Sequence, residues 1–235
     1  MRIRAVSLDL DDTLWPIMPV MLRVERCVDD WLRSECPQVA ERWPVEALRD
    51  LRDEIAAANP HLSHDYTEQR KLTLRHMFRP FGLGDDWVDR AYGIYERERN
   101  LVECYDDAEA ALEALAERLP LVAISNGNAD LSRMPLGKHF SFQIAAREFG
   151  KAKPDPSIFQ HACDRLGLPA AQVLHVGDDP HLDVAGAREA GMRTAWINRT
   201  GLVRGDVGAD VEIDDLHALV EWLDQLPNTR VQPAT

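Results

Sequence analysis

Positive charge is scarce in this 235-residue chain: 27 Lys and Arg stand against 40 Asp and Glu, for a formal net charge of -13. Nucleic-acid backbones and anionic membrane surfaces are bound through clustered Lys and Arg, so neither is an expected partner. An anionic ligand would have to be drawn by local features, a metal, a lysine or backbone N–H groups, against the field of the whole molecule. Cysteine is sparse as well. Cys27, Cys36, Cys104 and Cys163 form neither a close pair nor a metal-ligand spacing, which reads as free thiols in a reducing compartment. Long apolar runs are missing, and the N-terminus passes into an apolar strand without a signal-peptide pattern; a cytoplasmic protein is expected.

What remains is the composition of a globular protein, 45% hydrophobic and 29% charged, long enough for one large domain or a core with an insertion. Ala5–Leu8 reads as a short buried strand. From Trp15 to Glu103 the spacing gives helices without an intervening strand: one carrying Val20, Val24, Val28, Trp31 and Leu32, one from Pro44 to Asn59, one over 65–78 and one over 85–102. Then the pattern alternates. A helix over 106–119 precedes a strand over 121–124, followed by a further helix, a strand over 142–146 and a helix over 157–166. Strands over 173–176, 194–197 and 211–213 and a terminal helix to Leu226 complete it, with a further helix reaching Ala190. Apolar strands alternating with helices imply an α/β fold, a Rossmann-like parallel sheet covered on both faces. The expected organisation is a core of residues 1–14 and 104–227, an inserted helical domain at 15–103 and a flexible tail at 228–235.

Three of these strands end in chemically loaded loops. Asp9, Asp11 and Asp12 place three carboxylates in four positions, where like charges raise one another's pKa unless a cation offsets them. Ser125-Asn126-Gly127 and Gly177-Asp178 through Asp183 follow two other strands, and ligands of open parallel sheets bind beyond the carboxyl ends of strands.

Together with Lys153-Pro154-Asp155-Pro156, these loops resemble the four ordered motifs of the haloacid dehalogenase-like hydrolase superfamily, and residues 15–103 resemble that family's helical cap. The likeness extends to its phosphatase members, notably bacterial enzymes acting on flavin mononucleotide and on a ribitylaminopyrimidine phosphate. The resemblance implies a Mg²⁺-dependent phosphatase of small phosphorylated metabolites. It implies Asp9 as nucleophile and Asp11 as general acid and base. It also implies a metal site made by the Asp9 carboxylate, the Asp11 carbonyl and Asp178, with Asp183 holding a ligating water or orienting Lys153. Asp179 competes with Asp183 for that role, and Lys151 with Lys153. Ser125, Asn126 and Lys153 would bind the phosphoryl group, with Gly127 permitting close approach.

Within the helical segment, His61, His64, Asp65, Tyr66, Arg70, Arg75 and His76 are candidates for reading the leaving group. His175, inside an apolar strand, reads as a core histidine. Alternatives on the same fold are a 2-haloacid dehalogenase, a phosphotransferase and a catalytically idle binding module. Asp11 and Asp178 speak against the dehalogenase, which protonates no leaving group and needs no metal.

Overall fold

The computed structural model describes residues 2–201 and 207–226. They pack as two compact units. One takes the described residues up to Pro16, Glu103–Gly127 and those from Leu131 on; the other takes Ile17–Val102 and Asn128–Asp130. The tail expected at 228–235 lies outside the described residues.

The first unit is built on six parallel strands: β1 (Ala5–Leu8), β2 (Leu121–Ser125), β3 (Phe140–Ala145), β4 (Val173–Gly177), β5 (Arg193–Ile197) and β6 (Val211–Ile213), in the order β3-β2-β1-β4-β5-β6. β1, β2 and β4 are buried along their whole length, which is why they read as unbroken apolar runs rather than alternating ones. Strand order reverses beside β1, whose neighbours are β2 and β4. Leu8 pairs with Ala123 on one side and Val176 on the other, so the residues leaving β1 and β4 emerge side by side.

Apolar packing fixes the layers. Ala5, Ile124, Ile144 and Val173 from the strands pack with Ile158, Phe159 and Ala162 of a helix over Pro156–Leu166. That helix is stopped by Gly167 in the left-handed conformation, φ 64°. Some of the acidity is spent on helix starts. Asp65, Asp155, Asp179 and Asp215 each accept backbone N–H bonds at a helical N-terminus.

The second unit is all-helical, with main helices α1 (Ile17–Glu35), α2 (Pro37–Arg42), α3 (Val45–Ala58), α4 (Tyr66–Phe78) and α5 (Asp85–Arg99). Its core holds Leu32, Val39, Leu51, Leu74, Met77, Phe78 and Val88. Trp31 meets Phe78 edge-on and Trp87 at a tilt, a geometry aromatic pairs favour.

Two local expectations are corrected. The helix expected between the second and third strands is instead a pair of 3₁₀ turns, Leu131–Arg133 and Pro135–His139, because Pro135 has no N–H to continue a helix. The helix reaching Ala190 begins as a wide π-helical stretch, Pro180–Ala185, and continues α-helically only over Gly186–Glu189.

Candidate active site

Asp9 is the first residue beyond β1, and its N–H donates to the Val176 carbonyl at 2.9 Å, fixing it against the end of β4. Lys153 reaches the same place from a loop that carries a cis peptide bond to Pro154. Its Nζ donates to Asp9 Oδ1 at 2.5 Å and to Asp183 Oδ1 at 2.6 Å, and its side chain is 2% exposed. The ammonium therefore bridges two buried carboxylates. Lys151 stays at the surface, paired with Asp155 at 3.0 Å, and takes no part.

Asp183 is held on three sides. Besides Lys153, its Oδ1 faces His175 Nε2 at 3.1 Å, and its Oδ2 accepts from the Asp179 N–H at 3.1 Å. Since a carboxylate only accepts, His175 is protonated on Nε2. Its Nδ1 then accepts from the Ser7 hydroxyl at 2.9 Å, with Ser7 and His175 directly opposite in the β1–β4 ladder. Burial lowers the His175 pKa and keeps the ring neutral. Gly177 makes this packing possible. A Cβ there would sit 2.2 Å from the Asp183 carboxyl carbon.

Asp179 is committed elsewhere. Its Oδ1 accepts from the N–H groups of His181 and Leu182 at 2.7 and 2.8 Å, which starts the π-helical stretch.

One carboxylate oxygen from each of Asp9, Asp178 and Asp183 lies within 4.8 Å of the others. Burial, first, and then the charges of Asp183 and Asp12 push Asp178 up to about 7. Burial also raises Asp9 well above the usual range, with Lys153 opposing it. Asp183 is pulled the other way, because Lys153 and His175 outweigh its desolvation and keep it ionised. For Lys153 too, desolvation is outweighed, by Asp183 and Asp9, so its pKa is raised and the ammonium stays charged. The cluster thus sets three carboxyl groups against one ammonium, and the raised Asp9 and Asp178 mark negative charge that Lys153 alone does not offset. An oxygen-only set of this kind fits a hard divalent cation.

The acidic loop is tied down locally. Asp12 adopts φ 57°, in the left-handed region that Asp tolerates better than most residues, and its N–H donates to the Trp15 carbonyl at 2.7 Å. Asp11 is half-buried, and one of its carboxylate oxygens accepts from Trp15 Nε1 at 2.9 Å. Thr13 Oγ1 donates to Asp178 Oδ1 at 3.3 Å, and Trp196 Nε1 holds the Asp178 carbonyl at 2.8 Å. Arg199 donates to the Thr13 carbonyl at 2.8 and 3.0 Å and forms a two-pronged pair with Asp107 at 2.9 and 3.0 Å.

Of the phosphate-binding candidates, Ser125 is buried, and its hydroxyl accepts from the Gly127 N–H at 3.0 Å, leaving its own proton free to donate. The Asn126 carboxamide is occupied. It donates to the Lys153 carbonyl at 2.9 Å and accepts from the Lys153 N–H at 2.7 Å, so this side chain holds the lysine loop.

Several candidates in the helical unit have structural contacts there. Asp65 caps α4, Arg75 pairs with Glu68 and Asp85, and His76 meets the Trp43 ring edge-on. His61 and Tyr66 are exposed, His64 is half-buried, and Arg70 lies over the Tyr95 ring. The supporting roles of His175, Trp196 and Arg199 escape sequence reasoning. The one signal available for His175 is a polar residue opposite Ser7 in two otherwise apolar strands.

A family model described as haloacid dehalogenase-like hydrolase matches residues 3–191. The chain is 34% identical over 200 residues to the 5-amino-6-(5-phospho-D-ribitylamino)uracil phosphatase YigB of Escherichia coli, covering 83% of this chain and 84% of that protein. It is 40% identical over 147 residues to a phosphoserine phosphatase of Thermus thermophilus, covering 55% and 59% of the two chains. Among solved structures, a 2-haloacid dehalogenase from Pseudomonas syringae pv. Tomato superposes with a TM-score of 0.88 at 35% identity, over 95% of this chain and 99% of that one.

Proposed function

Because the chain belongs to the haloacid dehalogenase-like hydrolase family, we propose that it hydrolyses phosphate monoesters of small metabolites, with Asp9 as the nucleophile. The observation that supports this most is the Asp9–Lys153–Asp183 bridge beside Asp178, a buried carboxylate aimed from a strand end with a cation fixed against it.

In the proposed reaction an Asp9 carboxylate oxygen attacks phosphorus while the bond to the ester oxygen breaks, and Asp11 gives that oxygen its proton. Water then attacks the phosphorus of the aspartyl phosphate with Asp11 taking a proton, which releases inorganic phosphate and restores Asp9. Lys153, the Ser125 hydroxyl and the backbone N–H groups of the Ser125–Gly127 loop would balance charge on the phosphoryl oxygens. Asp183 fixes the lysine, and Asn126 fixes the lysine's backbone. Asp9, Asp178, the Asp11 carbonyl and Asp183 would hold Mg²⁺, whose contribution when bound is to neutralise charge between carboxylate and phosphate. Likeness to the phosphatase YigB makes ribitylaminopyrimidine phosphates the first metabolites to try, with flavin mononucleotide next on the sequence's resemblance to bacterial phosphatases of that ester.

The similarity to a solved 2-haloacid dehalogenase favours one rival reading, halide displacement by the same aspartate. Release of p-nitrophenol from its phosphate, lost with chelator and in D9N, supports the phosphatase. Chloride release from 2-chloropropionate with no phosphate release would overturn it in favour of the dehalogenase.

A further inference from the structure

The helical unit holds a partly open cavity of about 50 Å³ whose walls are mostly apolar, with Val24, Leu48, Leu74 and Met77 among them. Five polar side chains also line it: Glu25, Arg52, Arg70, Thr73 and Tyr95. Their charges do not cancel. Glu25 is already held by two arginines, Arg52 at 2.9 Å and Arg49 at 2.5 Å. Arg70 is half-buried, with the Tyr95 ring 4.7 Å from its guanidinium carbon and a hydrogen bond to that side chain; Glu25 attracts it, but among the described residues Arg70 forms no ion pair with a carboxylate. Burial lowers the Arg70 pKa, the mark of a cation short of counter-charge. Cations withdrawn from water into apolar surroundings are normally paired. This cavity has room for the missing partner.

Size and wall chemistry narrow what that partner is. One water needs about 10–15 Å³ of such space, so the cavity takes a group of about three to five heavy atoms. A phosphate would need donors on most of its oxygens. Here the Thr73 hydroxyl is spent on the Gln69 carbonyl and the Tyr95 hydroxyl on Asn128, which leaves the guanidinium groups facing an apolar wall. A carboxylate with a short aliphatic body matches both ends of that environment. We propose that the helical unit binds a small aliphatic monocarboxylate, with its charge on Arg70 and its carbon chain against Val24, Leu74 and Met77. The site is independent of the hydrolytic chemistry, and every residue that forms it lies in the helical unit.

The test is calorimetric titration of the full chain with sodium propionate, without any phosphate ester. Propionate should bind saturably. The neutral isostere propionamide should bind about tenfold more weakly or worse, the loss expected when a charge-assisted hydrogen bond is removed. R70M should weaken propionate by a similar factor, whereas K153M, which removes a buried cation of the other unit, should leave it unchanged. Absence of saturable binding, equal affinity for propionamide, undiminished binding by R70M, or loss in K153M would each overturn the proposal. Should R70M fail to fold, the amide comparison decides it on the unaltered protein, and R70K, which keeps the charge, should retain measurable binding.

Discussion

Replacing Lys153 with methionine separates what holds the acidic cluster together from what the cluster does. The substitution keeps the aliphatic stem and removes one ammonium that donates at 2.5 and 2.6 Å to two carboxylates, leaving Asp9 and Asp183 buried and facing one another. Two estimates of the cost agree. Unpaired charges at 4 Å repel by about 4 kcal/mol at an effective dielectric constant of about 20. The alternative is protonation of one carboxyl at pH 7, about three units above its ordinary pKa, which costs about 4 kcal/mol at 1.36 kcal/mol per unit. Both fall within the roughly 3–5 kcal/mol lost when one partner of a buried pair is removed. In a protein of this size each kcal/mol moves Tm by about 2–4 °C, so K153M in excess chelator should melt on the order of 10 °C lower. Added Mg²⁺ should stabilise K153M by more than it stabilises the unaltered protein, because the ion then faces a carboxylate pair with no competing ammonium. The assay is thermal and urea unfolding of both proteins, with and without Mg²⁺. Equal stability in chelator would refute the reasoning.

Other substitutions probe neighbouring links. D9N should lower phosphate release by about 10⁴-fold or more while leaving the fold intact, read by steady-state kinetics and circular dichroism. G177A places a methyl 2.2 Å from the Asp183 carboxyl carbon, so it should displace Asp183 from Lys153 and cut kcat by about a hundredfold or more, a 1 Å misplacement effect. D107N strips the two-pronged Arg199 pair and one acceptor of the Leu216 N–H, and should cost about 3 kcal/mol by urea unfolding at pH 7. Its pH dependence follows from sign. Burial favours the neutral Asp107 carboxyl, but Arg199 and the Leu216 N–H outweigh it and lower the folded pKa. The stability this confers is present above the unfolded value of about 3.9 and is lost as pH falls through the lower folded value, so the gap to D107N should close in acid.

Much of this molecule is legible in its sequence because the relevant signals are local. β1, β2 and β4 are short apolar runs, and each ends in residues whose chemistry stands out at once: Asp9, Ser125-Asn126-Gly127 and Gly177-Asp178. Helices α1, α3, α4 and α5 show themselves by their spacing. Illegible features depend on contacts between distant positions. Ser7 and His175 meet across a strand pair, 168 residues apart in sequence, and Arg199 reaches Thr13 across 186. Asn126 has the right side chain to grip a phosphate, yet it grips the Lys153 backbone, a choice set by where two loops meet. Likewise Asp179 and Asp183 are near-equivalent on paper. Only the turn of the π-helical stretch decides that one starts the helix and the other faces the lysine.

The most direct measurement is acid quench of the enzyme during turnover of a radiolabelled phosphate monoester, followed by peptide mapping. The account predicts label in the peptide that runs from Ala5 to Arg23, at Asp9, stable in acid and released by hydroxylamine as an acyl phosphate is. Turnover with no labelled protein, or with label on any other residue, would contradict it.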